Sequence, residues 1–234
     1  MKHPSGAATL TVLAALTVLA ALSLSVPAAA GLPVGLEIKG GVGVGYYSMS
    51  DLNDHLESLR QSLNANFEEI GSDFNVFAEG RVWFYRRVAG LVGYEHYWTE
   101  ASIAATSASV SYKAPADVLC LGGVVNIFSF PTLVDINAGL RGTFARVVYA
   151  DNEEIETRLV EYKANDYGWD LFAEVNTNFF RPLEVGFTLG YRNLTVSGFE
   201  DKFGDEAVFS TSGDPVSIGY SGMFFYLTAG IVVW

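Results

Sequence analysis

Cysteine is all but missing from this chain, and its one thiol, Cys120, excludes an internal disulfide. Charge is scarce too: Asp, Glu, Lys and Arg make up 17% of the 234 residues, against about a quarter in a soluble domain. Basic residues are the scarcer sign, 14 against 26 acids, which excludes a nucleic-acid partner because phosphate binding needs clustered cations. Metal-ligand spacings, phosphate loops and dinucleotide fingerprints are absent, so no cofactor or metal is expected. No internal stretch reads as a clean apolar helix, which excludes a helical bundle in a membrane. Apolar residues (50%), aromatics (14%) and glycine (24) are plentiful, and the mean hydropathy is +0.26. The chain is too apolar for an ordinary cytosolic protein.

Residues 1–30 read as a secretory signal peptide. Lys2 supplies the positive end, Leu10–Leu24 is an uncharged run shorter than a bilayer span, Pro27 breaks it, and Ala28-Ala29-Ala30 forms a small-residue cleavage site. The mature domain is then 31–234, and losing Lys2 takes its net charge from −12 to −13.

After residue 31 the apolar period is two. Leu36, Ile38, Val42, Val44 and Tyr46 share one face of a strand; Glu37, Lys39, Gly41, Gly43 and Gly45 share the other. The same alternation recurs over 75–85, 133–146, 169–179 and 183–192. It is noisier over 90–99 and 117–128, and apolar on both faces over 218–234. Three tight turns follow aromatic clusters, at Tyr85–Val88, Phe128–Thr132 and Phe180–Pro182. Four polar segments, near 48–74, 100–116, 147–168 and 197–217, read as long loops. An up-and-down barrel of n strands that starts and ends on one side has n/2 long loops and one fewer short turn, so both counts give eight strands. Closure leaves no backbone group unsatisfied in lipid, and about ten tilted residues suffice to cross it. Aromatic residues fall at two depths. Trp83, Phe84, Tyr85, Phe128, Phe130, Phe179, Phe180 and Trp234 form one girdle. Tyr46, Tyr47, Tyr94, Tyr97, Trp98, Tyr167, Trp169 and Tyr191 form the other. Two rivals use the same residues: a C-terminal membrane helix over the charge-free Val216–Trp234, opposed by Gly219 and Gly222, and a secreted β-sandwich.

On these features residues 31–234 resemble the small eight-stranded outer-membrane β-barrels of Gram-negative bacteria, the OmpA/OmpX type. The resemblance implies a monomer in outer-membrane lipid. It also implies a last strand read by the barrel-assembly machinery, with Tyr226, Val232 and Trp234 at the alternate positions such a signal uses. Roles in envelope integrity, adhesion or host contact follow from the same resemblance, without a named surface ligand.

If the polar strand faces point inward, Glu37, Lys39, Glu79, Arg81, Glu95, Arg141, Glu174 and Arg192 share one lumen with Asp135 and Glu184. An eight-stranded barrel is just wide enough for side chains to fill, so a structural plug of ion pairs is expected. Over 51–70 the period changes: Leu52, Leu56, Leu59, Leu63, Phe67 and Ile70 lie on one helix face. Ser50 is placed to cap this helix and Asp51, Asp54 and Glu57 suit its positive end. The helix is expected either to cover the barrel mouth or to rest against the lumen wall. Strand geometry sets no triad partner beside His96, so no catalytic residue is assigned. The expected function is non-enzymatic: a structural or surface-interaction protein of the cell envelope. The alternatives are a narrow pore or hydrophobic-solute conduit, and a lipid A-modifying enzyme.

Overall fold

The structure, a computed structural model, describes residues 34–63, 72–104, 109–130, 133–153, 160–180, 182–210 and 212–233. The signal-peptide residues and Trp234 lie outside these. In chain order the elements are β1 (Val34–Tyr47), α1 (Ser50–Leu63), β2 (Asp73–Phe84), β3 (Val88–Tyr97), β4 (Glu100–Ala104), β5 (Ser109–Lys113) and β6 (Ala116–Phe130). They continue with β7 (Val134–Glu153), β8 (Val160–Phe180), β9 (Leu183–Asn193), β10 (Thr195–Val196), β11 (Ile218–Gly219) and β12 (Gly222–Val233). Eight strands pair antiparallel in the ring order β1-β2-β3-β6-β7-β8-β9-β12, and β12 pairs with β1 to close it. The fold is an all-β, eight-stranded transmembrane barrel with one amphipathic helix after its first strand. Its closed ladder satisfies the backbone without water.

Two of the expected loops are strand instead. The segment 100–116 holds the β4–β5 hairpin, which adds to β7, and 147–168 is largely the continuation of β7 and β8, which run 20 and 21 residues. A span needs only about 10, so half of each strand stands clear of the membrane. There the alternation inverts. Along β7 the inward residues change from Asn137, Arg141 and Thr143 to Ala145, Val147 and Tyr149, while the outward ones change from Ile136 and Leu140 to Arg146. Along β8 the outward side passes from Leu171, Trp169 and Tyr167 to Asn165 and Lys163. The outer wall turns polar on one register row, His96–Asp117–Arg146–Asn165. Lipid dictates apolar-out below that row and water dictates polar-out above it.

Of the residues assigned to the girdles, Phe84, Tyr85, Phe128 and Phe130 at one end and Tyr46, Trp98, Tyr167, Trp169 and Tyr191 at the other are exposed on the outside. Trp83, Tyr47 and Tyr97 are not girdle residues: each is buried, at 5%, 4% and 0% exposure. Their parity is that of the lumen residues Arg81, Gly45 and Glu95 two positions earlier, so the pleat turns them inward. The side chains of Phe179 and Phe180 lie outside those described.

Helix α1 seals the long-loop end. Leu52, Leu56 and Leu59 are buried in an apolar core with Tyr47, Tyr97, Tyr112, Tyr149, Phe199, Phe209 and Tyr220. The side chain of Leu63, and Phe67 and Ile70, lie outside the description. Ser50 does not cap the helix. Its hydroxyl lies 3.3 Å from Asp51 Oδ1, and the first helical bond runs from Asn53 N–H to the carbonyl of Met49, which sits at φ +36°. His55 stacks on Phe209 at 4.6 Å, with Nε2 3.2 Å from Tyr112 Oη.

Inside the ring, glycine and aromatic residues are matched across neighbouring strands. A Cβ on Gly43 would lie 2.0 Å from the ring of its register partner Tyr226, and one on Gly139 or Gly190 would lie 2.2 Å and 2.1 Å from the rings of Phe172 and Phe224. The missing side chains are the space these rings fill.

Two tests follow from this packing. At the β1–β12 seam, Gly43→Ala should lower barrel stability by roughly 1–3 kcal/mol, read as an earlier urea midpoint in detergent; an unchanged midpoint would contradict the glycine–ring fit. Burial lowers the pKa of His55 from 6.5 to about 4, so the cap holds His55 neutral. Its contribution is complete above about pH 6.5 and declines as pH falls towards 4. Protease cleavage within 50–63 should therefore rise from pH 7 to pH 5, and His55→Phe should flatten that rise.

Candidate functional site

The inward faces of six ring strands bring the barrel's charged residues together in two tiers. In the tier nearer the cap, Arg192 on β9 holds Asp170 on β8 with both ends of its fork, Nε to Oδ1 at 2.8 Å and Nη2 to Oδ2 at 2.6 Å. The same Nη2 donates to Glu95 Oε2 on β3 at 2.6 Å. Arg141 on β7 donates to Asp170 Oδ2 at 2.8 Å and to Glu95 Oε1. Two guanidinium groups and two carboxylates thus form a closed cycle of alternating sign. Tyr97 and Tyr226 add hydroxyl donors to Glu95, and Asn75 donates to Tyr226 Oη at 3.1 Å. The guanidinium carbons lie over aromatic rings, Arg141 at 5.4 Å from Phe172 and Arg192 at 5.1 Å from Tyr97, a favourable setting for a desolvated cation.

In the second tier, Arg81 on β2 grips Glu174 on β8 with two nitrogens and donates to Glu79. Lys39 on β1 lies 2.7 Å from Glu174 and 3.2 Å from Glu37. Asn137 and Asn176 donate to Glu174 Oε1 at 2.8 Å and 3.1 Å, and Trp83 Nε1 donates to Glu37 Oε2 at 2.6 Å. Arg141 Nη1, 3.5 Å from Glu79, links the tiers. All eight residues picked from the strand faces, Glu37, Lys39, Glu79, Arg81, Glu95, Arg141, Glu174 and Arg192, are buried at 4% exposure or less.

Ring position decides what these bonds do. In the strand order, β2 and β8 lie four places apart, and so do β3 and β9. Arg81–Glu174 and Arg192–Glu95 therefore join opposite walls, and each crosses the full lumen. Asp170, the carboxylate shared by both arginines, was missed from the sequence although it has lumen parity. Asp135 is half-buried and accepts from Ser129, while Glu184 is buried towards the short-turn end. Tyr226 and Val232 also face inward, Val232 into the short-turn mouth.

Glu95, Cys120 and Asp170 bring three donor atoms within 4.8 Å of one another. Arg141 and Arg192 already neutralise both carboxylates, so the set does not suit a cation. A histidine pairing not anticipated from the sequence lies on the outer wall: His96 Nδ1 is 2.8 Å from Asp117 Oδ1, which also accepts from Tyr94 Oη at 2.5 Å. The expectation that strand geometry sets no triad partner beside His96 is corrected for the carboxylate; β3–β6 register, invisible in one sequence, makes the pair.

No protein-family model matches the chain, and no curated protein does. Solved structures do. The attachment invasion locus protein Ail of Yersinia pestis, in complex with the heparin analogue sucrose octasulfate, aligns over 86% of this chain and 99% of its own with a TM-score of 0.50 and 8% identity. The outer membrane protein OprG of Pseudomonas aeruginosa aligns over 85% and 95% (TM-score 0.48, 9% identity), and the outer membrane protease OmpT of Escherichia coli over 88% and 98% (TM-score 0.43, 8% identity). At such identity the likeness to Ail carries the fold alone. The membrane assignment rests on this molecule's own closed ladder and apolar belt. The chain is an eight-stranded transmembrane β-barrel.

Removing one partner from a buried pair leaves an uncompensated charge, at a cost of about 3–5 kcal/mol. Arg192→Met should lower the urea or thermal midpoint in detergent by that order, more than Arg60→Met on the solvated face of α1. Equal effects would mean that the cycle is not closed in solution.

Proposed function

We propose that this barrel is a closed, non-enzymatic protein of the outer membrane that serves structure and surface contact, and that its cap and the β4-β5-β7-β8 extension are the contact surface. The observation that carries the reading is the pair of arginine–carboxylate bonds spanning opposite walls. With the apolar core above them they stand across the lumen, which speaks against the narrow pore. Against an enzyme stands the His96–Asp117 pair: among the described residues no serine, threonine or cysteine is hydrogen-bonded to His96, so an acyl-transfer site lacks its nucleophile.

The projecting head is acidic, with Asp51, Asp54, Asp205, Glu206 and Asp214 all exposed. It suits neutral or cationic partner surfaces. A sulfated ligand such as the one in the Ail complex would be repelled. Membrane lipid surrounds the apolar belt, and closure leaves no edge strand in the hydrocarbon, which favours a monomer. Recognition of the last strand by the barrel-assembly machinery belongs to the same proposal.

In planar bilayers the purified protein should give no discrete conductance steps, before or after deletion of 51–63, because both ionic tiers remain. Steps in the unmodified protein would overturn the reading in favour of a pore. Lipid A mass spectra with and without the gene should coincide, and a changed acyl pattern would establish an enzyme.

A further inference from the structure

The two tiers differ in charge balance. The tier nearer the cap sets Glu95 and Asp170 against Arg141 and Arg192, two against two. The tier nearer the short turns sets Glu37, Glu79, Glu174 and Glu184 against Lys39 and Arg81. Its excess is centred on Glu184, which is 9% exposed and has no hydrogen-bond or ion-pair partner among the described residues. Glu184 borders a cavity of about 70 Å³ at the short-turn end, lined also by Glu37, Asn137, Asn176 and Trp83, with Arg86 and Asp135 of opposite sign among its other lining residues.

Two buried oxygens there have no hydrogen-bond donor. Glu37 Oε1 has only the ion pairs to Lys39 and Arg81, and Asn176 Oδ1 has nothing. The amide of Asn176 is not reversed, because its Nδ2 is committed to Glu174. Gly186 makes the room for that oxygen: a Cβ there would lie 2.1 Å from it. A carboxylate without an ion-pair partner and an amide oxygen without a donor, both buried and bordering the same water-sized cavity, are an incomplete set of hard oxygen ligands. Buried charge of this kind is costly unless compensated, and hard divalent cations take carboxylate, amide oxygen and water together. At roughly 30 Å³ per water the cavity has room for a cation that keeps one or two of its own.

We propose that the short-turn end of the lumen is a divalent-cation site, with Glu184 as the anionic ligand and Asn176 Oδ1 as the neutral one, selective for Ca²⁺-like hard ions and loaded from the periplasmic mouth. The site is distinct from the head's solvated carboxylates and independent of any surface partner.

Trp83, hydrogen-bonded to Glu37, provides the readout. In the full chain refolded in detergent and freed of metal, Tb³⁺ should give tryptophan-sensitised emission that Ca²⁺ displaces, and Ca²⁺ should raise the melting temperature. Glu184→Gln should weaken Tb³⁺ binding by about tenfold or more, raise the melting temperature of the metal-free protein and abolish its response to Ca²⁺. Trp83→Phe should lose the emission while keeping the Ca²⁺-dependent melting shift. Emission and shift unchanged in Glu184→Gln would place the ions on the acidic head and overturn the proposal. So would a wild-type protein indifferent to Ca²⁺ and Tb³⁺, the result expected if a proton on Glu184 supplies the compensation.

Discussion

The constraint on which this molecule depends is that charge inside a lipid-embedded cylinder has no water to fall back on. Hydrocarbon outside forces the backbone into a closed ladder and the outer wall into Leu, Val and aromatic residues. An eight-stranded ring then encloses a space only as wide as two facing side chains. Glu, Asp, Lys and Arg placed there must find each other across it. The resulting bonds tie β2 to β8 and β3 to β9, strands on opposite walls. Each such bond fixes the register of distant strands at once. This is the specifying role that buried ionic groups play best, since their net contribution to stability over an apolar filling is small.

Glycine is the complement of these charges. Gly43, Gly139 and Gly190 cede their volume to Tyr226, Phe172 and Phe224, and those same rings lie beside the Glu95–Arg141–Asp170–Arg192 cycle. Above the lipid the logic inverts. With water outside, β7 and β8 turn their apolar side chains inward, and α1 closes the tube with a conventional apolar core. One chain therefore carries two interiors stacked end to end: ionic within the membrane and apolar beyond it. The row His96–Asp117–Arg146–Asn165 on the outer wall marks the change between them.

Much of this was legible in the order of residues because a strand's face is a matter of parity. Parity assigned Glu37, Lys39, Glu79 and Arg81 to the lumen, and the turn and loop count fixed eight strands. The change to a helical period located α1. Three things were not legible. Height and ring position are set by register, so neither the Arg192–Glu95 crossing nor the His96–Asp117 contact can be read from one sequence. The upper halves of β7 and β8 were mistaken for loops because a reading tied to apolar-out loses a strand where it leaves the membrane. Trp83, Tyr47 and Tyr97 were assigned to girdles by residue type, which parity overrides. The orphaned oxygen of Asn176 needed coordinates, because an unmade bond leaves no sequence signal.

The central claim, a lumen closed by its own charges below and its cap above, can be tested at the single native thiol. Cys120 is buried at 2% exposure, with Sγ within 4.8 Å of carboxylate oxygens of Glu95 and Asp170. The decisive measurement is the rate at which a small water-soluble methanethiosulfonate labels Cys120 in the folded barrel in detergent. The account predicts labelling no faster than global unfolding, with full reaction in denaturant. Labelling within seconds of mixing, with the barrel still folded, would show an open water path through the interior and contradict the account.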